Sequence, residues 1–163
     1  MPTPTIPVAR FGAPTIPALL TQTARRRPDA PFIHWIDPAA KDAPPRTITF
    51  SGFGRLVARG IAFLQDAGVG AGDRVLFFAE NSPEWQALAI ATQHLRAEPA
   101  SLFAVLDAGP ASEIARRVRP KVAFVSSAAH WEKLRGAADA LAAGGLVAIV
   151  CEERLDPAAV PAG

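Results

Sequence analysis

Tyrosine is absent from this chain of 163 residues, and cysteine and methionine occur once each. A lone Cys151 rules out an internal disulfide and fits a reducing compartment. His34, His94 and His130 stand far apart, and none has a partner at the spacing of a metal site. No G-x-x-x-x-G-K-[ST] loop is present to cradle phosphates, and no G-x-S-x-G elbow to present a serine nucleophile. Lysine is scarce, and the formal charge is only +2. The basic residues are scattered apart from Arg25-Arg26-Arg27, which reads as the basic last turn of a helix, so no nucleic-acid surface is expected. Met1 to Pro17 carries five prolines and no apolar core, unlike a signal peptide. The most apolar helical stretch, Trp85 to Leu95, falls short of the roughly 20 residues that a bilayer span needs. A cytoplasmic location is expected.

What is present is a core. Half of the residues are apolar and 20% are charged, enough to bury a hydrophobic interior without metals or disulfides. Residues 1–14 read as a Pro-rich extended arm, residues 15–151 as one α/β subdomain, and residues 152–163 as a linker. A first helix is predicted from a Thr15 cap with Pro17 in its first turn, stopped by Pro28. Two β-type runs, Phe32–Ile36 and Thr47–Phe50, predict a short antiparallel pair. Ser51 is the expected cap of a helix with Phe53, Leu56, Val57, Gly60, Ile61 and Leu64 on one face, and Gly68 ends it.

Strands and helices then alternate. Strands are expected at Val75–Ala79, Ser101–Leu106, Val122–Val125 and Leu146–Val150. Helices are expected from Ser82-Pro83 to Arg96 and from Gly109-Pro110 to Val118, the latter with Glu113 in its first turn. A third starts after a Ser127 cap, turns Trp131, Leu134, Ala138 and Leu141 inward, and stops at Gly144-Gly145. Four parallel strands separated by helices mean an open, mostly parallel α/β sheet covered on both faces.

No complete active site emerges. Gly68-Val69-Gly70-Ala71-Gly72 follows a helix and precedes a strand, the reverse of a dinucleotide loop, so it reads as a helix stop and tight turn. Ser126-Ser127 lies between a strand and a helix, where capping outweighs catalysis. Glu152-Glu153 ends a strand, but neighbours on an extended chain point to opposite faces, which argues against paired acid–base work. Trp35, Trp85 and Trp131 read as core or rim residues.

Some stretches nevertheless resemble a known family. Thr15-Ile16-Pro17-Ala18-Leu19-Leu20, Arg27-Pro28-Asp29-Ala30-Pro31 and Thr49-Phe50-Ser51-Gly52-Phe53 resemble the opening of the AMP-forming acyl-CoA synthetases. These belong to the adenylate-forming superfamily, with firefly luciferase and peptide-synthetase adenylation domains. Ala67-Gly68-Val69-Gly70-Ala71-Gly72-Asp73-Arg74-Val75 and Glu80-Asn81-Ser82-Pro83-Glu84-Trp85 are similar to the family's GV-x-x-GDRV … EN-x-PEW block. Val122–Val125 looks like its A-K-V-x-x-V strand, and Trp131-Glu132-Lys133-Leu134 with the final apolar strand resembles the long-chain fatty-acid branch. The chain departs from the pattern at Ala97-Glu98-Pro99 and at Phe103, where the family usually has Ala-Gly-Ala and a later proline.

The resemblance implies the incomplete N-terminal subdomain of a ligase whose parent protein uses ATP, Mg2+ and coenzyme A on a fatty-acid-like substrate. It transfers no catalytic, cofactor-binding or metal-binding residue to this segment, because the family's phosphate loop and lysine would follow the linker. The expected partner is the rest of the ligase chain, and an uncovered sheet edge predicts a homo-oligomer. Two alternatives stay open from the residues alone: a free-standing small-ligand-binding module, and an interaction piece docking on a separate catalytic chain.

Overall fold

A computed structural model describes residues 15–36, 42 and 44–152. The arm of residues 1–14 and most of the predicted linker lie outside the described residues. Helix α1 spans Ile16–Arg26, with the Thr15 hydroxyl accepting from the Ala18 N–H. Strands β1 (Pro31–Trp35) and β2 (Arg46–Thr49) pair antiparallel. Helix α2 (Phe50–Asp66) follows without a break. Its cap is Thr49 rather than Ser51: the Thr49 hydroxyl accepts from the Gly52 N–H, so β2 hands its last residue straight to the helix and Phe50 becomes helical.

The parallel sheet comprises β3 (Arg74–Phe78), β4 (Glu98–Leu102), β5 (Val122–Val125) and β6 (Ala148–Cys151), in spatial order β4-β3-β5-β6. Its central strands alternate between two cores. Val75, Phe77, Val122 and Phe124 join a cluster with α2 and with α3 (Pro83–His94). Leu76, Phe78, Ala123 and Val125 join a second cluster on the opposite face. That face is covered by α4 (Ala108–Val118), α5 (Ala128–Leu134), a 3-10 turn at Arg135–Ala137 and α6 (Ala138–Ala143). Burial on both faces explains why β3 and β5 read as unbroken apolar runs.

Several boundaries differ from the sequence reading. β4 covers Glu98–Leu102, not Ser101–Leu106, because register with β3 pairs Arg74 with Glu98 and Phe78 with Leu102. Pro99 is tolerated there because β4 is an edge strand. Phe103 and Val105, expected in the strand, are 80% and 84% exposed. Helix α3 stops at His94, and Arg96 takes a left-handed φ of 59°. The last strand begins at Ala148, two residues beyond the predicted Leu146. Glu113 lies beyond the first turn of α4, where it pairs with Arg116 and Arg117 instead of facing the helix dipole. The 3-10 turn shifts the phase after Leu134, so Ala137 rather than Ala138 is buried. Trp131 is fully buried, whereas Trp35 and Trp85 are half-buried.

Candidate functional site

Strand order locates where a ligand-binding edge belongs in this architecture. The connection from β3 leads outward to β4 through α3 on one face, and that from β5 leads to β6 through α5 and α6 on the other. The switch point therefore lies between β3 and β5, at their carboxyl ends, where open α/β sheets bind ligands. Glu80, Ser82, Ser126, Ser127, His130 and Glu152 gather there.

These polar groups are already engaged with one another. Ser126 Oγ accepts from the Glu80 N–H at 3.1 Å, tying the two strand ends together. Ser82 Oγ caps α3 by accepting from the Trp85 N–H at 2.9 Å, and donates to a carboxylate oxygen of Glu152. His130 Nε2 is 3.2 Å from the Ala104 carbonyl oxygen, which only accepts, so Nε2 is the donor. In the neutral ring Nδ1 is then the acceptor for Ser127 Oγ at 2.8 Å, with Ser126 Oγ at 3.3 Å. Ser127 Oγ also accepts from the His130 N–H as the cap of α5. The ring stacks edge-on against Phe78, with centroids 4.9 Å apart. A serine and a histidine within reach suggest a nucleophile and its base. Here, however, the serine is the helix cap, accepting from the His130 N–H, and the histidine ring is tied to that same hydroxyl, which leaves the pair a structural joint. Spacing in the sequence gave no sign of the link to Ala104.

The remaining singled-out residues do not converge on this edge. His34 is exposed on β1, with Nδ1 3.0 Å from Thr47 Oγ1, and His94 is exposed at the end of α3. Among the described residues no group of His, Cys, Asp or Glu could hold a metal ion. Glu153 lies outside the described residues, so its pairing with Glu152 has no structural account.

The glycine-rich turn lies at the opposite, amino end of the sheet. Gly68 and Gly72 adopt φ of +70° and +84°, which favours glycine at both places. The Gly70 N–H donates to Asp73 Oδ2 at 2.8 Å. Lys121 Nζ donates to the same oxygen at 3.1 Å and to the Gly68 carbonyl at 2.6 Å. The Gly70 N–H and then Lys121 hold the Asp73 carboxyl below its ordinary pKa, against an opposing desolvation. A phosphate would need that N–H and that cation, and Asp73 has taken both. The turn therefore does not fit a nucleotide, and no step through ATP is derived from it. Arg74 completes the junction, bonding Glu98 Oε2 at 3.3 Å and the Val118 carbonyl at 3.1 Å.

Both fingerprint blocks thus close a parallel sheet, one at its amino end and one at its carboxyl end. The fold and these junctions define the class: an open α/β subdomain whose two motif blocks brace strand ends. The chain belongs to the family of AMP-binding enzymes, which matches residues 20–161.

Solved structures agree on the fold. The N-terminal domain of FACL13 from Mycobacterium tuberculosis is 23% identical with a TM-score of 0.68, over 81% of this chain and 32% of that one. The coronafacic acid ligase of Pectobacterium brasiliense is 16% identical with a TM-score of 0.69, over 81% and 24%. The anthranilate CoA ligase AuaEII is 20% identical with a TM-score of 0.68, over 81% and 23%. The chain thus spans about a third or less of the length of these structures. No curated protein matches it significantly. No helix among the described residues is long and apolar enough to cross a membrane.

Proposed function

We propose that this chain is the scaffold subdomain of an AMP-forming ligase that activates a carboxylic acid, in the finer reading a long-chain fatty acid. In that reaction the carboxylate attacks the α-phosphate of ATP to give acyl-AMP and pyrophosphate. The thiol of coenzyme A then displaces AMP. In-line attack between anions needs a phosphate cradle, a metal and cationic groups, which this reading assigns to the rest of the same ligase chain, in the cytoplasm. The segment's own part is to present the rigid carboxyl ends of its strands and the open β6 edge for that remainder to pack against. The observation that carries this reading is the family match over residues 20–161. The fatty-acid preference rests on the Trp131–Leu134 stretch and on likeness to proteins such as the fatty acyl CoA synthetase of Mycobacterium tuberculosis.

The test uses a chain that carries this segment together with the remaining ligase portion. Pyrophosphate release and acyl-AMP formation are followed with acids from acetate to palmitate and with anthranilate. Turnover highest with long acyl chains supports the finer reading. Preference for an aryl or short acid removes the fatty-acid part alone, and no stimulation by any acid removes the ligase reading.

A further inference from the structure

Beyond its role in a ligase, the molecule carries an apolar groove whose chemistry matches a stretch of its own chain. The groove, about 260 Å³, runs between α1, β1, α3 and the free edge of β4. Ile16, Leu20, Phe32, Trp85 and Ile90 form its apolar walls, with Pro99 on the edge strand. Ile16 and Phe32 are 61% and 40% exposed, so the surface is open to solvent. The amides of Gln86 and Gln93 and the hydroxyl of Ser101 supply polar groups along it. Aromatic walls with a few hydrogen-bonding groups are what proline-rich peptides dock into, since their carbonyls are free and their backbone loses little entropy on binding.

We propose that residues 1–14 of the same chain dock in this groove, with Pro4-Thr5-Ile6-Pro7 as the contact. Three features favour this occupant over others. The segment joins Ile16 through Thr15, so its end is tethered at the groove wall. It carries a P-x-x-P stretch with Ile6, and Phe11 as a further apolar contact. Pro4 to Pro7 spans about 9 Å in the polyproline conformation, and residues 8–14 leave enough chain to turn back. Pro99 removes a donor from the edge strand, which disfavours the alternative of adding a further strand to the ladder. Tethering raises the effective concentration of the segment to about the millimolar range, so a weak intrinsic contact suffices.

The experiment uses the full chain carrying Trp35→Phe, so that Trp85 is the tryptophan accessible to acrylamide while Trp131 stays buried. Pro4→Ala with Pro7→Ala alters no residue of the described fold. It is expected to raise the quenching constant at least two-fold with an unchanged circular dichroism spectrum. A chain starting at Thr15 should behave alike, and a synthetic peptide of residues 1–14 should restore protection and shift the amide signals of Gln86, Ile90 and Gln93. Equal quenching with and without the prolines, or a peptide that moves no signal even at the roughly millimolar concentration that tethering supplies, overturns the proposal. Protection that appears only as protein concentration rises overturns it too, by placing the segment on a second copy.

Discussion

Asp73 accepts from the Gly70 N–H and from Lys121 at the start of β3, so its carboxylate is favoured in the folded state. Its folded pKa lies below the unfolded one. The stabilisation is therefore complete above the unfolded carboxylate value, about 3.9, and is lost as pH falls through the folded pKa. Asp73→Asn should lower the urea midpoint at pH 7, and the gap to the parent should begin to shrink below about pH 4 and close only as pH falls through the lowered folded pKa; parallel curves at all pH values would show that the charge contributes nothing. The tryptophans differ by burial. Trp131→Ala removes a fully buried ring and should cost about 3–5 kcal/mol. Trp85 sits edge-on to Phe77 at 5.6 Å but is half-exposed, so Trp85→Ala should cost about half as much. Denaturant midpoints with unchanged slopes separate the two. Equal costs would contradict the burial difference that distinguishes them, which helical spacing alone did not reveal for Trp85.

Helices α2 and α3 meet where Gly60 faces Leu88 and Ala91. A Cβ at Gly60 would lie 3.1 Å from the Ala91 Cβ and 3.4 Å from Leu88 Cδ1. Gly60→Leu should therefore overpack the crossing and cost about 1–3 kcal/mol, whereas Gly54→Leu, with open space around it, should not. Thermal unfolding of the pair gives the answer, and equal melting temperatures would mean that the helices separate freely. Apolar periodicity placed Gly60 on the inward face of α2 but said nothing of Ala91, because contact partners 31 residues apart in the chain leave no local pattern. The same limit explains β4. Nothing local marks Glu98-Pro99 as strand, and pairing with β3 imposes it.

At the scale of the whole molecule, β6 forms one edge of the sheet and all four of its residues are only partly buried, with Val147 beside it 59% exposed. An open edge flanked by apolar side chains invites another chain. Residues 1–163 alone should therefore show concentration-dependent association by light scattering, weakened by Val150→Lys on the partly buried strand. A strict monomer across a hundredfold dilution series would favour a self-sufficient module. The same preparation should catalyse no ATP–pyrophosphate exchange with any fatty acid, since this reading assigns the phosphate cradle, the metal and the cationic groups to the rest of the ligase chain. Exchange above a boiled control would contradict that assignment.

The sequence by itself determined what short-range chemistry controls. Thr15 and Ser82 cap their helices through their own hydroxyls, Gly68 takes the left-handed turn, and the run Val122–Val125 is buried on both faces, as hydrophobic spacing predicts. The fingerprint blocks also carried the family. Only the tertiary structure decided what those blocks do. Asp73 meets Lys121 across 48 positions, Glu80 meets Ser126 across 46, and Ser82 meets Glu152 across 70. Periodicity reports which face of an element is apolar, but strand order chooses which distant side chains share an end of the sheet. That order places the polar residues at the β3/β5 switch point and turns the glycine run into a closed structural joint.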